Sequence, residues 1–209
     1  EPRSALGYNL MIVLGVLSEL GLLNINRLDV PQALIALNDQ VRSICEDIPE
    51  SKNLAKQLAN DLSGRATLIY SGGLLTGMGR RWKTQIHENA KAIAFNETLP
   101  ELLHNSVESL DALAVNGQNY SVLLMRPHEL SSHLIKSYAA IEQLLIRQGV
   151  QYQVVLATRD SPLVQILNMV ILGDYVSYYM ALNREVDPSD TSLIDFGKFL
   201  TQGNPPSSD

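Results

Sequence analysis

Glu88 lies late in the run Arg80-Arg81-Trp82-Lys83-Thr84-Gln85-Ile86-His87-Glu88-Asn89-Ala90-Lys91. Three bases precede it and one follows. A carboxylate can take a proton from a carbon beside a carbonyl and return it to the neighbouring carbon. That chemistry needs a base held close, with its pKa tuned toward working pH. Thr84, Glu88 and Lys91 fall three or four residues apart, so they share one face of a helix. The same spacing suits a surface glutamate paired with Lys91, an arrangement of little energetic consequence. A second group able to move protons near neutral pH is His104, in the polar stretch Glu101-Leu102-Leu103-His104-Asn105. It also fits an ordinary exposed histidine.

Other candidates are more scattered. Ser71-Gly72-Gly73 stands where a strand turns into a helix, and main-chain amides at a helix start attract phosphate. A tight turn accounts for these residues equally well. Arg3 could stabilise a developing enediolate oxygen, and Lys198 in the last helix could do similar work. Either also fits a solvated surface charge. Trp82 reads as a packing anchor, and Tyr175, Tyr178 and Tyr179 as core or interface. The four histidines show no metal-ligand spacing, and the single cysteine, Cys45, gives no zinc pattern. Neither a metal nor a cofactor is expected.

The elements that must position these residues change rhythm along the chain. Residues 8–23 read as a buried helix. Asp29 is a plausible N-cap for a second, with Pro31 in its first turn and apolar residues at helical spacing up to Ile44. Pro49 ends it, and Ser51 can cap a third helix that stops at Gly64. From there strands alternate with helices. Strands are expected at 66–70, 92–95, 121–125 and 150–156, and helices through Glu88, at 128–148, at 162–183, and from the turn Asp187-Pro188-Ser189-Asp190 to about Leu200. Strands this apolar, alternating with helices, imply a parallel sheet covered on both faces. The expected fold is thus α/β, a three-layer αβα sandwich preceded by a helical segment. The expected organisation is a helical segment over 1–63, an α/β domain over 64–201 and a flexible tail over 202–209. In such sheets ligands bind beyond the carboxyl ends of the strands. That rim would hold residues 71–73, 96–104, 126–128 and 158–161.

Bulk properties exclude several classes. A net charge of −6 over 209 residues offers no basic footprint for nucleic acid. One cysteine cannot form an internal disulfide, which suits a cytoplasmic setting. The longest apolar run, Leu10 to Leu17, falls short of the roughly 20 residues needed to span a bilayer. It also lacks a basic start and a small-residue cleavage site, so no membrane association or signal peptide is expected. The chain opens on Glu1 rather than Met, and a fragment of a longer protein is expected.

Taken together, Arg81 to Lys91 with Leu103-His104-Asn105 resembles the bifunctional phosphoglucose/phosphomannose isomerases of the sugar isomerase (SIS) superfamily. Gly173-Asp174-Tyr175-Val176-Ser177-Tyr178-Tyr179 with Val186-Asp187-Pro188 is similar to their C-terminal signature, and Pro2 to Tyr8 to the segment between their two SIS halves. The resemblance implies a fold of parallel sheets flanked by helices, and homodimers with sites at the subunit interface. It implies metal-free interconversion of glucose 6-phosphate or mannose 6-phosphate with fructose 6-phosphate through a cis-enediol. By motif, Glu88 would move the proton between carbon-1 and carbon-2. His104 would assist ring opening in the other subunit's site, Arg3 would stabilise the enediolate, and Lys198 would match a C-terminal lysine. From their own positions, at the glycine turn and on the Glu88 face of the helix, Ser71, Gly72 and Thr84 are expected to contact substrate. His87 departs from the asparagine expected at that position. The phosphate-gripping N-terminal SIS half is missing from this chain, so the isolated chain is expected to be weak or inactive. A non-catalytic phosphosugar-binding SIS module and a domain that only dimerises are the rival readings.

Overall fold

A computed structural model describes residues 5–24 and 30–202. Arg3 and Asp29 lie outside the described residues, as does the tail from residue 203. The elements run α1 (Leu6–Glu19), α2 (Val30–Ile44), α3 (Leu54–Leu62), β1 (Ala66–Gly72), α4 (Thr76–Ala90), β2 (Ala94–Leu99), α5 (Leu110–Val115), β3 (Tyr120–Arg126), α6 (Ser132–Arg147), β4 (Tyr152–Leu156), α7 (Pro162–Asn183) and α8 (Ser192–Gln202). The four strands form one sheet in the order β2-β1-β3-β4, and every neighbouring pair is parallel. The αβα architecture expected from the alternating pattern is therefore present.

Strand alternation divides the core in two. Ile69, Leu123 and Met125 point to one face, where they meet Trp82 and Ile86 of α4, Leu58 and Leu62 of α3, Ile44 of α2 and Met169, Val176 and Met180 of α7. Tyr70, Val122 and Leu124 point to the other, against Leu110 of α5, Tyr138, Ile141 and Leu145 of α6, and Leu102 in the short 3-10 turn Glu101–His104. A period of two along each strand produces this split. Burial drives it, at about 25 cal/mol per Å² of apolar surface. Helices α2 and α3, N-terminal to the first strand, are thus part of one covering layer.

Sequence and structure part in four places. Helix α1 forms, but none of its residues is buried; Tyr8 is 78% and Ile12 64% exposed. Its apolar residues run all round the helix, the pattern of an element covered on every side, and the rest of the described chain supplies no such cover. The cap of α3 is Asn53 rather than Ser51: its side chain accepts from the Lys56 amide at 3.0 Å and donates to the Cys45 carbonyl at 3.0 Å. Strand β2 is Ala94–Leu99 rather than 92–95, because Thr67 to Gly72 of β1 pair with six successive residues starting at Ala94. Strand β4 begins at Tyr152, two residues later than expected, where pairing with Val122 starts. Helix α7 spans the expected 162–183, capped by Ser161.

The joint between α4 and α7 is the tightest in this layer. The Trp82 indole is buried, and its N–H donates to the Met169 carbonyl at 2.8 Å. It packs closely against Gly173, where a Cβ would overlap the indole ring atoms. Gly173→Ala should cost about 1–3 kcal/mol by overpacking. In a chain of this size that is a fall of roughly 2–4 °C in Tm per kcal/mol. An unchanged Tm would contradict this account of the joint.

Candidate functional site

Helix α4 starts at the carboxyl end of β1 and must return the chain to the opposite edge before the parallel strand β2 can begin. Its last turn therefore sits at the amino edge of the sheet. His87 marks the spot, with its Nε2 at 2.9 Å from the Ala94 carbonyl oxygen and 3.1 Å from the Ala94 amide nitrogen, at the first residue of β2. Glu88, the next residue, is half-buried. It lines a cleft of about 450 Å³ between the end of α4 and residues Asp190–Ile194 that lead into α8.

Lys91 closes the helix. It adopts a left-handed conformation (φ 51°), and its Nζ donates to the Glu88 carbonyl at 2.5 Å and to the Asp190 carbonyl at 2.6 Å. The Asp190 carboxyl is held below the usual carboxylate range. The Ser192 amide hydrogen bond is the main cause, the Ser192 hydroxyl helps, and the charge of Lys91 adds a smaller pull. Both walls of the cleft are thus fixed by main-chain contacts.

The outward face of α4 is matched by a polar face toward α7. Arg81 donates to both Asp174 carboxylate oxygens, at 3.0 and 3.2 Å, and Gln85 donates to Oδ1 of the same carboxylate at 2.5 Å. Asn89 donates to the Ser177 hydroxyl at 2.9 Å, and that hydroxyl donates to the Asp174 carbonyl at 3.0 Å. Residues 81, 85 and 89 are spaced four apart, so one stripe of α4 is fastened along its length. This fixes the rotation of the helix and so the direction of Glu88. Sequence reading missed Asp174 in this role, although the repeat Arg81, Gln85, Asn89 was its available signal.

His104 is not brought to Glu88 within the chain. It ends the 3-10 turn that follows β2, on the far face of the sheet, with Leu102 of that turn in the opposite core. Glu88 sits beside the first residue of β2, and His104 comes after its last. The five steps between the six residues of β2, at about 3.3 Å each, set these ends roughly 17 Å apart. His104 is exposed. Lys198 is four residues beyond Ile194 and so lies on the same stripe of α8, one turn past the cleft lining. Its Nζ donates to Asp195 at 2.8 Å.

Thr84 is exposed on the Glu88 face, with its hydroxyl donating to the Arg81 carbonyl at 2.8 Å. Ser71 is placed otherwise than expected. Its hydroxyl is fully buried, accepts from the Asn96 side chain at 3.1 Å and lies directly beneath Gly79 of α4, where a Cβ would strike it. Gly72 is buried against Leu99 and the Tyr138 hydroxyl. Both serve the contact between sheet and helix, because the carboxyl end of β1 is covered before the loop emerges at Gly73. The Tyr138 hydroxyl donates to the Met125 carbonyl at 2.5 Å, and burial pushes its pKa up.

A family model of the bacterial phospho-glucose isomerase C-terminal SIS domain matches residues 51–199. The chain belongs to this family. Curated relatives of the SIS domain include a bifunctional phosphoglucose/phosphomannose isomerase of Caldicellulosiruptor bescii, 28% identical over 95% of this chain and 59% of that protein. One of Thermoplasma volcanium is 29% identical over 93% of this chain and 59% of that protein. The chain thus spans well under two thirds of the length of these relatives. Among solved structures, a glucose-6-phosphate isomerase like protein from Thermus thermophilus superposes with a TM-score of 0.64 at 26% identity, covering 76% of this chain and 53% of that one. The C-terminal domain of a glucosamine-fructose-6-phosphate aminotransferase from Francisella tularensis shares the fold alone, with a TM-score of 0.55 at 14% identity, covering 76% of this chain and 43% of that one. Among the described residues, no helix is long and apolar enough to cross a membrane.

The fastening of α4 to α7 has a measurable consequence. Asp174→Ala leaves the Arg81 side chain, 18% exposed, without its carboxylate and removes the acceptor of Gln85. Breaking a fully buried pair costs about 3–5 kcal/mol. Discounted for the 38% exposure of the Asp174 side chain, a loss of about 1–3 kcal/mol is expected. Urea unfolding should show a lower midpoint with an unchanged m-value, and an unmoved midpoint would contradict the assignment.

Proposed function

We propose that this SIS domain is the base-carrying half of an aldose–ketose isomerase acting on a phosphorylated hexose. Glucose 6-phosphate or mannose 6-phosphate would interconvert with fructose 6-phosphate. The observation that carries the reading is the half-buried Glu88 in a cleft of about 450 Å³ at the fastened end of α4. The names of the curated relatives support the substrate class.

In this reading Glu88 takes the proton from carbon-2 of the open-chain aldose. The electron pair moves into a cis-enediol as the carbon-1 carbonyl oxygen gains a proton. Glu88 then returns its proton to carbon-1, and the carbonyl forms at carbon-2 as the carbon-2 hydroxyl gives up its proton, so that one proton has passed between the two carbons and one between the two oxygens. The hexose and the enzyme are otherwise unchanged, so no metal or redox cofactor is called for. His104 would open the sugar ring in the site of a second copy, since about 17 Å separate the two regions within one chain. In this reading the protein works as a homodimer with shared sites. Arg3, outside the described residues, would stabilise the enediolate. Lys198, on the stripe continuing from the cleft, would hold a sugar oxygen, and Thr84 would face the substrate. An additional N-terminal SIS half would grip the phosphate, and its binding energy would align the reacting carbons. Residues 64–201 would form the SIS unit, working in the cytoplasm, with the preceding helices as its packing partners.

Glu88→Gln keeps shape and removes the base. In the full-length protein, turnover of fructose 6-phosphate should fall about 10²–10⁴-fold, while calorimetric binding of the sugar phosphate persists. Unchanged turnover would remove Glu88 from this role. Binding with no turnover in the unmodified protein would favour a sensor module instead.

A further inference from the structure

The cleft at Glu88 has two walls from distant parts of the chain. One is the end of α4, and the other is the turn at 187–190 with the start of α8. The side chain of Lys91 reaches from one to the other. Lys91 Nζ donates to the Glu88 carbonyl at 2.5 Å and to the Asp190 carbonyl at 2.6 Å, and thus spans 99 positions of sequence. Its own carbonyl oxygen accepts from Arg184 at 3.4 Å, at the end of α7.

Several features set this contact apart from a surface charge. Both acceptors are carbonyls, so the ammonium is held by directed, charge-assisted hydrogen bonds rather than by a screened ion pair. The Glu88 carbonyl belongs to the last turn of α4, where helix carbonyls lack intrahelical partners. The left-handed backbone at Lys91 turns the chain out of α4 and toward β2. A non-glycine residue there is strained, and such strain persists where surrounding contacts fix it. The opposite wall is stiffened separately: Asp190 accepts from the Ser192 amide at 2.9 Å and its hydroxyl at 3.2 Å, and Asp187 accepts from the Ser189 amide at 2.8 Å. The Lys91 amine thus links two preformed pieces.

We propose that Lys91 is a positioning residue: it sets the width of the cleft and holds the Glu88 turn at a fixed distance from the Asp190–Ile194 wall. The proposal rests on the isomerase reading for its kinetic consequence and stands apart from it for its structural one. Proton transfer by a fixed base is sensitive to small displacements. Loss of the clamp should therefore lower kcat more than it weakens binding.

The test uses three variants of the full-length protein. Lys91→Met keeps side-chain length and removes the amine. Lys91→Gly removes the amine and relieves the left-handed backbone, so its cap remains sound. Lys91→Arg retains donors. Amide hydrogen exchange across 187–194 should speed up about ten-fold in the Met and Gly variants, with β1 and β3 unchanged. The kcat for fructose 6-phosphate should fall about ten-fold with KM within about two-fold. Lys91→Arg should restore most of both.

Unchanged exchange across 187–194 would overturn the clamp. A rise spread evenly over β1 and β3 would also overturn it, marking a general loss of stability. Local loosening with unaltered kcat would overturn the positioning role. Local loosening in a protein whose unmodified form turns over no hexose phosphate would uphold the clamp and overturn the isomerase reading instead.

Discussion

The rest of the structure depends on one connection. Strands β1 and β2 are parallel neighbours, so the helix between them must cross from the carboxyl edge of the sheet to the amino edge. Helix α4, 15 residues long, makes that crossing. Whatever its last turn carries is thereby placed at the end of the sheet opposite the loops that follow the strands. Glu88 sits in that turn, while His104 follows the carboxyl end of β2. Topology alone separates them, and no side-chain rearrangement within one chain would bring them together.

Two kinds of contact make α4 a fixed support. The apolar one is Trp82 on Gly173, where the missing side chain lets the indole lie against α7. The polar one is the stripe of Arg81, Gln85 and Asn89 on Asp174 and Ser177. The first sets how close the helices come. The second sets rotation, because hydrogen bonds are directional where apolar contact is not. A helix fixed in both respects presents Glu88 in one direction, as the proposed role of a base would require.

Much of this was legible in the sequence. The alternation of short apolar strands with amphipathic helices marks a parallel sheet, because buried parallel strands are apolar on both faces. Helix α7 could be bounded at 162–183 by its long apolar run, while its Ser161 cap emerged only in the structure. The Glu88 helix could be placed after a glycine turn. Other features depend on contacts between distant residues. That Ser71 is sealed beneath Gly79 follows from how closely α4 approaches β1, and nothing in Ser71-Gly72-Gly73 encodes the distance. That Asp190–Ile194 forms the second wall of the cleft depends on where α7 ends, nearly a hundred residues from Glu88. The exposure of α1 is a third case: an apolar sequence specifies a helix that wants cover, but not what covers it.

The central claim is that one functional site takes Glu88 from one copy and His104 from another. Mixing two inactive variants tests this most directly. Glu88→Gln and His104→Ala full-length proteins, each inactive alone, would be unfolded together, refolded and assayed for fructose 6-phosphate turnover. Random pairing in a twofold dimer places one intact site in each mixed dimer, so about one quarter of the unmodified activity should return. If the mixture stays as inactive as its components while mixed dimers form, both groups belong to one chain's site or to none, and the account fails.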